Sequence, residues 1–212
     1  MSEMSDYKKA IASELIRLAR DKYGDNNMLF VVPKYAAKSF HSYCSMKEDL
    51  QLMKKYLDLL ESNGLTDEIK SSLMYSTIAL YGKCFTDASK AKAPKLEAKK
   101  LSLSTQETLT HEYLMELRHR FIAHRGETDS EIESAFFLIN NVGTNTELRF
   151  MRIKQVSFTE KQISDIKDHF EKLDGELDLL IEKTAKKVQT HLLSFDPELM
   201  KNLNINNIGG EE

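Results

Sequence analysis

The chain has 212 residues and a formal net charge of −3, with 30% charged and 41% hydrophobic residues, eight glycines, three prolines and no tryptophan. That length allows a sizeable buried core, and the composition excludes a disordered or fibrous chain and one that clings to nucleic acid or membranes through overall charge alone. No apolar run approaches the ~18 residues of a membrane span and the N-terminus MSEMSDYKKAIASEL lacks an apolar signal core, so a cytoplasmic protein with no membrane partner is expected.

The first helix is expected to start after Ser5 and to run to about Tyr23, with Tyr7, Ile11, Leu15 and Leu18 on one face. After the GDNN turn, MLFVV leads to Pro33, which suits the first position of a long second helix. Phe40, Tyr43, Leu50, Met53, Leu57 and Leu60 mark its buried stripe, and Asn63-Gly64 ends it. A third helix carries Ile69, Leu73, Tyr75 and Ile78 from Thr66 to about Tyr81. The Lys-, Ala- and Ser-rich stretch 86–103 reads as a mobile basic loop or a solvated linker. Ser104 and Glu107 form a capping box, and Leu109, Leu114, Leu117 and Phe121 give the following helix its apolar face up to Gly126.

The period then changes. AFFLINNV and LRFMRIKQV flank GTNTE, and the second run approaches apolar–polar alternation, which predicts one β-hairpin near 135–157. Thr159 and Gln162 make a second capping box. The last long helix repeats Ile163, Ile166, Phe170, Leu173, Leu177 and Leu180 with a coiled-coil-like spacing. Asp196-Pro197 caps a final short helix. The expected fold is mainly α, an antiparallel bundle of four to five main helices with one inserted hairpin, as a single domain over 1–203 with a disordered tail over 204–212. The Phe136-Phe137 hairpin and the Ile163–Leu180 seam read as core or dimer interface. The scattered methionines read as core filler, and Cys44 and Cys84 as buried thiols outside any metal-ligand spacing.

Charge is unevenly spread. Between Lys83 and Arg125 nine Lys/Arg face five Asp/Glu, a local balance of +4 that leaves −7 elsewhere. Within this third lies LRHRFIAHR, residues 117–125. On a regular helix His124 continues the stripe of Leu117, and Arg118 lies ~9 Å of rise and about a third of a turn from His124. Two such groups on one helix do not readily clamp one small group. They can do so across a two-fold axis, or where the helix end is distorted. Arginine offers a fork of donors matched to two phosphate oxygens, and histidine moves protons near neutral pH. No Asp, Glu or His cluster in ligand spacing suggests a metal, so no metal or other cofactor is expected. The plain alternative is that basic residues in a last helical turn satisfy free carbonyls and the macrodipole.

LRHRFIAHR resembles the signature of the HEPN superfamily, whose motif is an Arg followed by a polar residue and, a few positions later, a His. Arg118, His119 and His124 match those three places in turn, and the Ile122-Ala123-His124 ending is similar to many bacterial members, including those tied to abortive phage infection. The resemblance implies a homodimer with two motifs facing a cleft, and a metal-independent endoribonuclease of phage-defence or toxin type, with RNA as substrate and an antitoxin as a further partner. It implies catalytic roles for Arg118, His119 and His124. Arg120 and Arg125 are plausible RNA-backbone contacts to which the motif assigns no role. The hairpin lies outside a minimal HEPN bundle, and HEPN-like domains also include non-catalytic interaction or nucleotide-binding modules. LYGKCFTDASK, residues 80–90, is a second candidate, in which Tyr81 or Lys83 contacts phosphate or a base. Its alternative is a helix end with Gly82 giving close packing.

Overall fold

A computed structural model describes residues 3–24, 27–86, 93–123, 131–139 and 146–205. The fold is mainly α with one inserted antiparallel β-hairpin. In chain order the helices are α1 (Glu3–Tyr23), α2 (Lys34–Leu60), α3 (Asp67–Phe85), α4 (Thr105–Glu116), α5 (Glu160–Leu193) and α6 (Pro197–Leu203). A π-helical turn, Leu117–Ala123, continues α4. The strands are β1 (Glu131–Ile139) and β2 (Thr146–Lys154). No helix among the described residues is long and apolar enough to cross a membrane.

The chain groups into two compact units, one of Met1–Phe40 with Glu182–Glu212 and one of His41–Ile181. In the first, the extended stretch before α2 pairs with the end of α6. Val31 N–H donates to the Leu203 carbonyl at 2.7 Å and Ile205 N–H to the Leu29 carbonyl at 3.0 Å. Arg20 donates to the Ile205 carbonyl. Residues 204–205 are therefore not part of a loose tail: Asn204 bridges Phe30, and Ile205 is buried. The Asp196 carboxylate caps α6 by accepting from Leu199 N–H at 2.9 Å. The α1 stripe departs from expectation, since Ile11, Leu15 and Leu18 are exposed.

The second unit holds the core. Leu50, Met53, Leu57, Met74, Ile78, Leu114, Ile166, Phe170, Leu173 and Leu177 are almost wholly buried, as the sequence periodicity requires. Ion pairs fix α2 and α5 as antiparallel neighbours: Lys47 reaches Asp178 at 2.6 Å, Lys54 reaches Glu171 at 2.8 Å, and Lys167 reaches Glu61 at 2.6 Å. Partners move down one helix as they move up the other. Both capping boxes form. Ser104 Oγ accepts from Glu107 N–H at 3.2 Å while the Glu107 carboxylate accepts from Ser104 N–H at 2.6 Å. Thr159 and Gln162 make the same reciprocal pair. Gly64, at φ 91°, takes the left-handed conformation just after α2 that a β-carbon disfavours.

Two expectations change here. The helix α3 runs through Gly82 to Phe85, so Gly82 is interior to the helix and not its end. The basic stretch after it is not wholly loose. Leu96 and Leu101 are buried, Leu96 N–H donates to the Cys84 carbonyl at 2.9 Å, and Ala98–Lys100 form a short 3-10 turn.

The hairpin pairs Glu131 with Lys154 through Ile139 with Thr146, starting four residues earlier than the alternation suggested. At its base Glu131 pairs with Arg152 at 3.0 Å and Lys154 lies over the Tyr75 ring at 5.5 Å. Beyond that base both faces are exposed, so the core alternative for Phe136-Phe137 is corrected: the two rings are 49% and 65% exposed.

Candidate functional site

Arg118 opens the π-helical turn. In such a turn each N–H reaches back five residues and not four, so the residues advance through a smaller angle than the regular helical geometry assumes. The consequence is visible at Gly82. A β-carbon placed there would sit 2.5 Å from Arg118 Cγ, 3.0 Å from Cδ and 3.0 Å from Nε. The Arg118 stem is therefore laid flat across α3, in space that only glycine leaves open. Close packing at Gly82, one of the readings of its sequence neighbourhood, is what is found.

The guanidinium of Arg118 donates from Nη1 to His119 Nδ1 at 3.2 Å. Arginine has no acceptor, so Nδ1 carries the lone pair and the His119 proton sits on Nε2. Arg118 is half-buried and His119 exposed. Among the described residues Arg118 has no carboxylate partner. Its basic neighbours differ. Arg120 pairs with Glu116 at 3.4 Å one turn back, and Lys83 pairs with Asp49 at 2.7 Å. The side-chain positions of Phe121, Ile122 and Ala123, and all of His124 and Arg125, lie outside what the structure describes.

Tyr81 takes a different place from the one expected. It is fully buried, and its hydroxyl is bonded to His111 Nδ1 at 2.6 Å and to His169 Nε2 at 2.8 Å. A hydroxyl committed to two ring nitrogens in the core is not presented to a phosphate or base, so the contact role gives way to a packing role. Its ring also stacks on Phe170 at a centroid separation of 5.9 Å and lies tilted against Phe85 at 4.9 Å.

The cluster fixes its own tautomers. His169 Nδ1 is buried without a partner among the described residues. An unpaired lone pair costs less than an unpaired N–H, so the His169 proton belongs on Nε2, donating to Tyr81. The Tyr81 O–H then donates to His111 Nδ1. Burial holds the His169 imidazole down to about 4, helped by the neighbouring His111 and opposed by Glu107. Burial lowers His111 as well, against Glu112, and pushes the Tyr81 phenol well above its ordinary range. Cys84, one residue from Lys83, is pushed up to about 12 by burial first and then by Asp49. It is a packed thiol and not a nucleophile. Cys44 is only half-buried.

No family model, no curated protein and no solved structure matches the chain. The site must be read from its own geometry.

No sequence motif links His111 of α4 to His169 of α5. His169 sits three residues beyond Ile166 and beside Phe170, on the seam of α5, and that register was the available signal.

Proposed function

We propose that the Arg118–His119 end of α4 binds a phosphodiester, and that with His124 it makes a metal-independent endoribonuclease of HEPN type, working as a homodimer with two motifs at one cleft. The observation that carries this reading is Arg118 itself. Its stem is fixed over Gly82, its guanidinium is oriented by His119, and it lacks a carboxylate partner among the described residues. A fixed cationic fork with no counter-ion among the described residues suits the two free oxygens of a phosphate.

In the proposed reaction the RNA 2′-hydroxyl attacks its own phosphorus. The 5′-oxygen leaves, giving a 2′,3′-cyclic phosphate and a 5′-hydroxyl. Arg118 offsets the extra charge of the five-coordinate phosphorus. His124 moves the proton, and His119 holds the guanidinium. Arg120 and Lys83, each beside a carboxylate, are weaker candidates for backbone contact. A phage-defence or toxin setting, with an antitoxin partner, is the context the motif suggests.

The test is cleavage of single-stranded RNA in EDTA by wild type, Arg118→Ala and His124→Ala, with the product ends mapped. Cyclic-phosphate ends that vanish in each variant, at unchanged circular dichroism, are expected. Cutting retained by either variant overturns the assignment. The same fixed guanidinium also suits a single nucleotide phosphate, as in a non-catalytic binding module. No cutting, together with a nucleotide-dependent rise in melting temperature that Arg118→Ala removes, would favour that second reading.

A further inference from the structure

Seven residues of helix are close to two full turns, so Tyr75 and Gly82 share one face of α3 about 10 Å apart. Gly82 seats the stem of Arg118. A second cation sits at Tyr75: Lys154, at the base of the hairpin, holds its ammonium 5.5 Å from the centre of the ring. Arg118 and Lys154 are both half-buried, and Ala79, exposed between the two positions, raises no bulky side chain. The two cations are held in the same way. His119 orients Arg118 and the Tyr75 ring orients Lys154, and neither partner is a carboxylate. An aromatic face attracts an ammonium while leaving its charge and its donors in place. The nearby carboxylates are taken by other cations. Glu131, directly across the strand pair from Lys154, goes to Arg152 at 3.0 Å. Glu116 goes to Arg120 at 3.4 Å and Asp49 to Lys83 at 2.7 Å. Among the described residues Lys154, like Arg118, has no carboxylate at ion-pair distance.

We infer that Lys154 is a second phosphate contact, on the same strand whose phosphate Arg118 holds. The inference rests on the reading of Arg118 as an RNA-phosphate site and adds the class of ligand. A stacked strand advances ~3.4 Å per nucleotide, so about 10 Å separates phosphates about three nucleotides apart. A mononucleotide gives its phosphate to one of the cations and leaves the other empty. Two fixed cations at this spacing therefore select a strand over a mononucleotide. The net charge of −3 supplies no general attraction for a polyanion, so attraction rests on cations placed as these are. Lysine meets a phosphate as a point charge, which fixes the register of the strand without reading its sequence.

The test uses a fluorescent 2′-O-methyl RNA of about twelve nucleotides, long enough to span both cations and lacking the attacking hydroxyl. Its affinity for the full chain is measured by anisotropy across a range of salt. Lys154→Ala is expected to bind roughly 5-fold more weakly at about 50 mM salt, with a slope of log affinity against log salt shallower by ~0.7. Lys154→Arg is expected to keep both values, and Arg118→Ala to weaken the same probe. Lys154→Ala at wild-type affinity and slope, beside a weakened Arg118→Ala, overturns the inference and leaves the Arg118 reading standing. Equal losses in Lys154→Ala and Lys154→Arg trace to packing on Tyr75 and overturn it too, as does a loss that Arg118→Ala does not share. A wild type that binds no strand overturns both readings.

Discussion

At the level of single residues, Gly82 carries more of the candidate site than its lack of a side chain suggests. Replacing an interior helical glycine by alanine ordinarily stabilises a helix by about 1 kcal/mol. Here the added methyl meets Cγ, Cδ and Nε of Arg118, the stem and not a mobile tip, so the whole arginine must move. If Arg118 holds the scissile phosphate as proposed, Gly82→Ala is expected to keep the helical signal and lower RNA cleavage by roughly 10²-fold, the scale of losing one donor to developing charge. Steady-state cleavage beside circular dichroism checks it. A Gly82→Ala protein that cuts at the wild-type rate would separate the seat of Arg118 from catalysis. Arg118→Lys is expected to fall as far, since an ammonium lacks the planar fork. Its rate relative to Arg118→Ala measures how much of the role is charge alone.

At the level of elements, what could be read from the sequence was what depends on near neighbours. The Ser104–Glu107 and Thr159–Gln162 capping boxes are three-residue signals and both form. The α2 and α5 stripes recur at helical spacing and are buried at Leu50, Met53, Leu57 and Leu60 and from Ile163 to Leu177, while Phe40, Tyr43 and Leu180 at their ends are only half-buried. The π-helical turn was not legible, because it changes the hydrogen-bond reach of the backbone while leaving the residue pattern of LRHRFIA compatible with a regular helix. Nor was the exposure of the hairpin, since alternation reports a strand and says nothing of what covers it. Leu96 and Leu101 anchor the basic stretch by contacts with the core that spacing does not encode. The capping boxes give a direct check of local contribution. Ser104→Ala removes the acceptor for Glu107 N–H and is expected to cost about 1 kcal/mol. Urea unfolding should show a lower midpoint at unchanged slope. An unchanged midpoint would mean that Glu107 alone secures this helix start.

At the level of the whole molecule, three helices meet through one hydroxyl, and that junction sets how stability answers to acid. His169 of α5 donates to Tyr81 of α3, which donates to His111 of α4. The unfolded chain protonates His169 near its ordinary 6.5, whereas the folded chain resists until about 4. Between those values the unfolded state binds more protons, so stability is complete above pH 6.5 and falls as the pH drops to about 4. A gap of this width corresponds to roughly 3 kcal/mol, a large share of the ~5–15 kcal/mol that holds a typical domain. Carboxylates act lower on the scale. Burial raises the Asp174 carboxyl, but the hydrogen bonds and charges of Lys47 and Lys54 outweigh it and hold the group below 3.8, so its contribution is lost only in stronger acid. The melting temperature should therefore decline in two stages, the first belonging to the buried histidines. His169→Phe keeps an aromatic ring in the seam but removes the titration, and is expected to flatten the first stage while leaving the second. His111, also lowered, would retain a smaller slope in that variant. If the decline between pH 6.5 and 4 is as steep in His169→Phe as in wild type, the acid response arises elsewhere, and the Tyr81 junction serves packing alone.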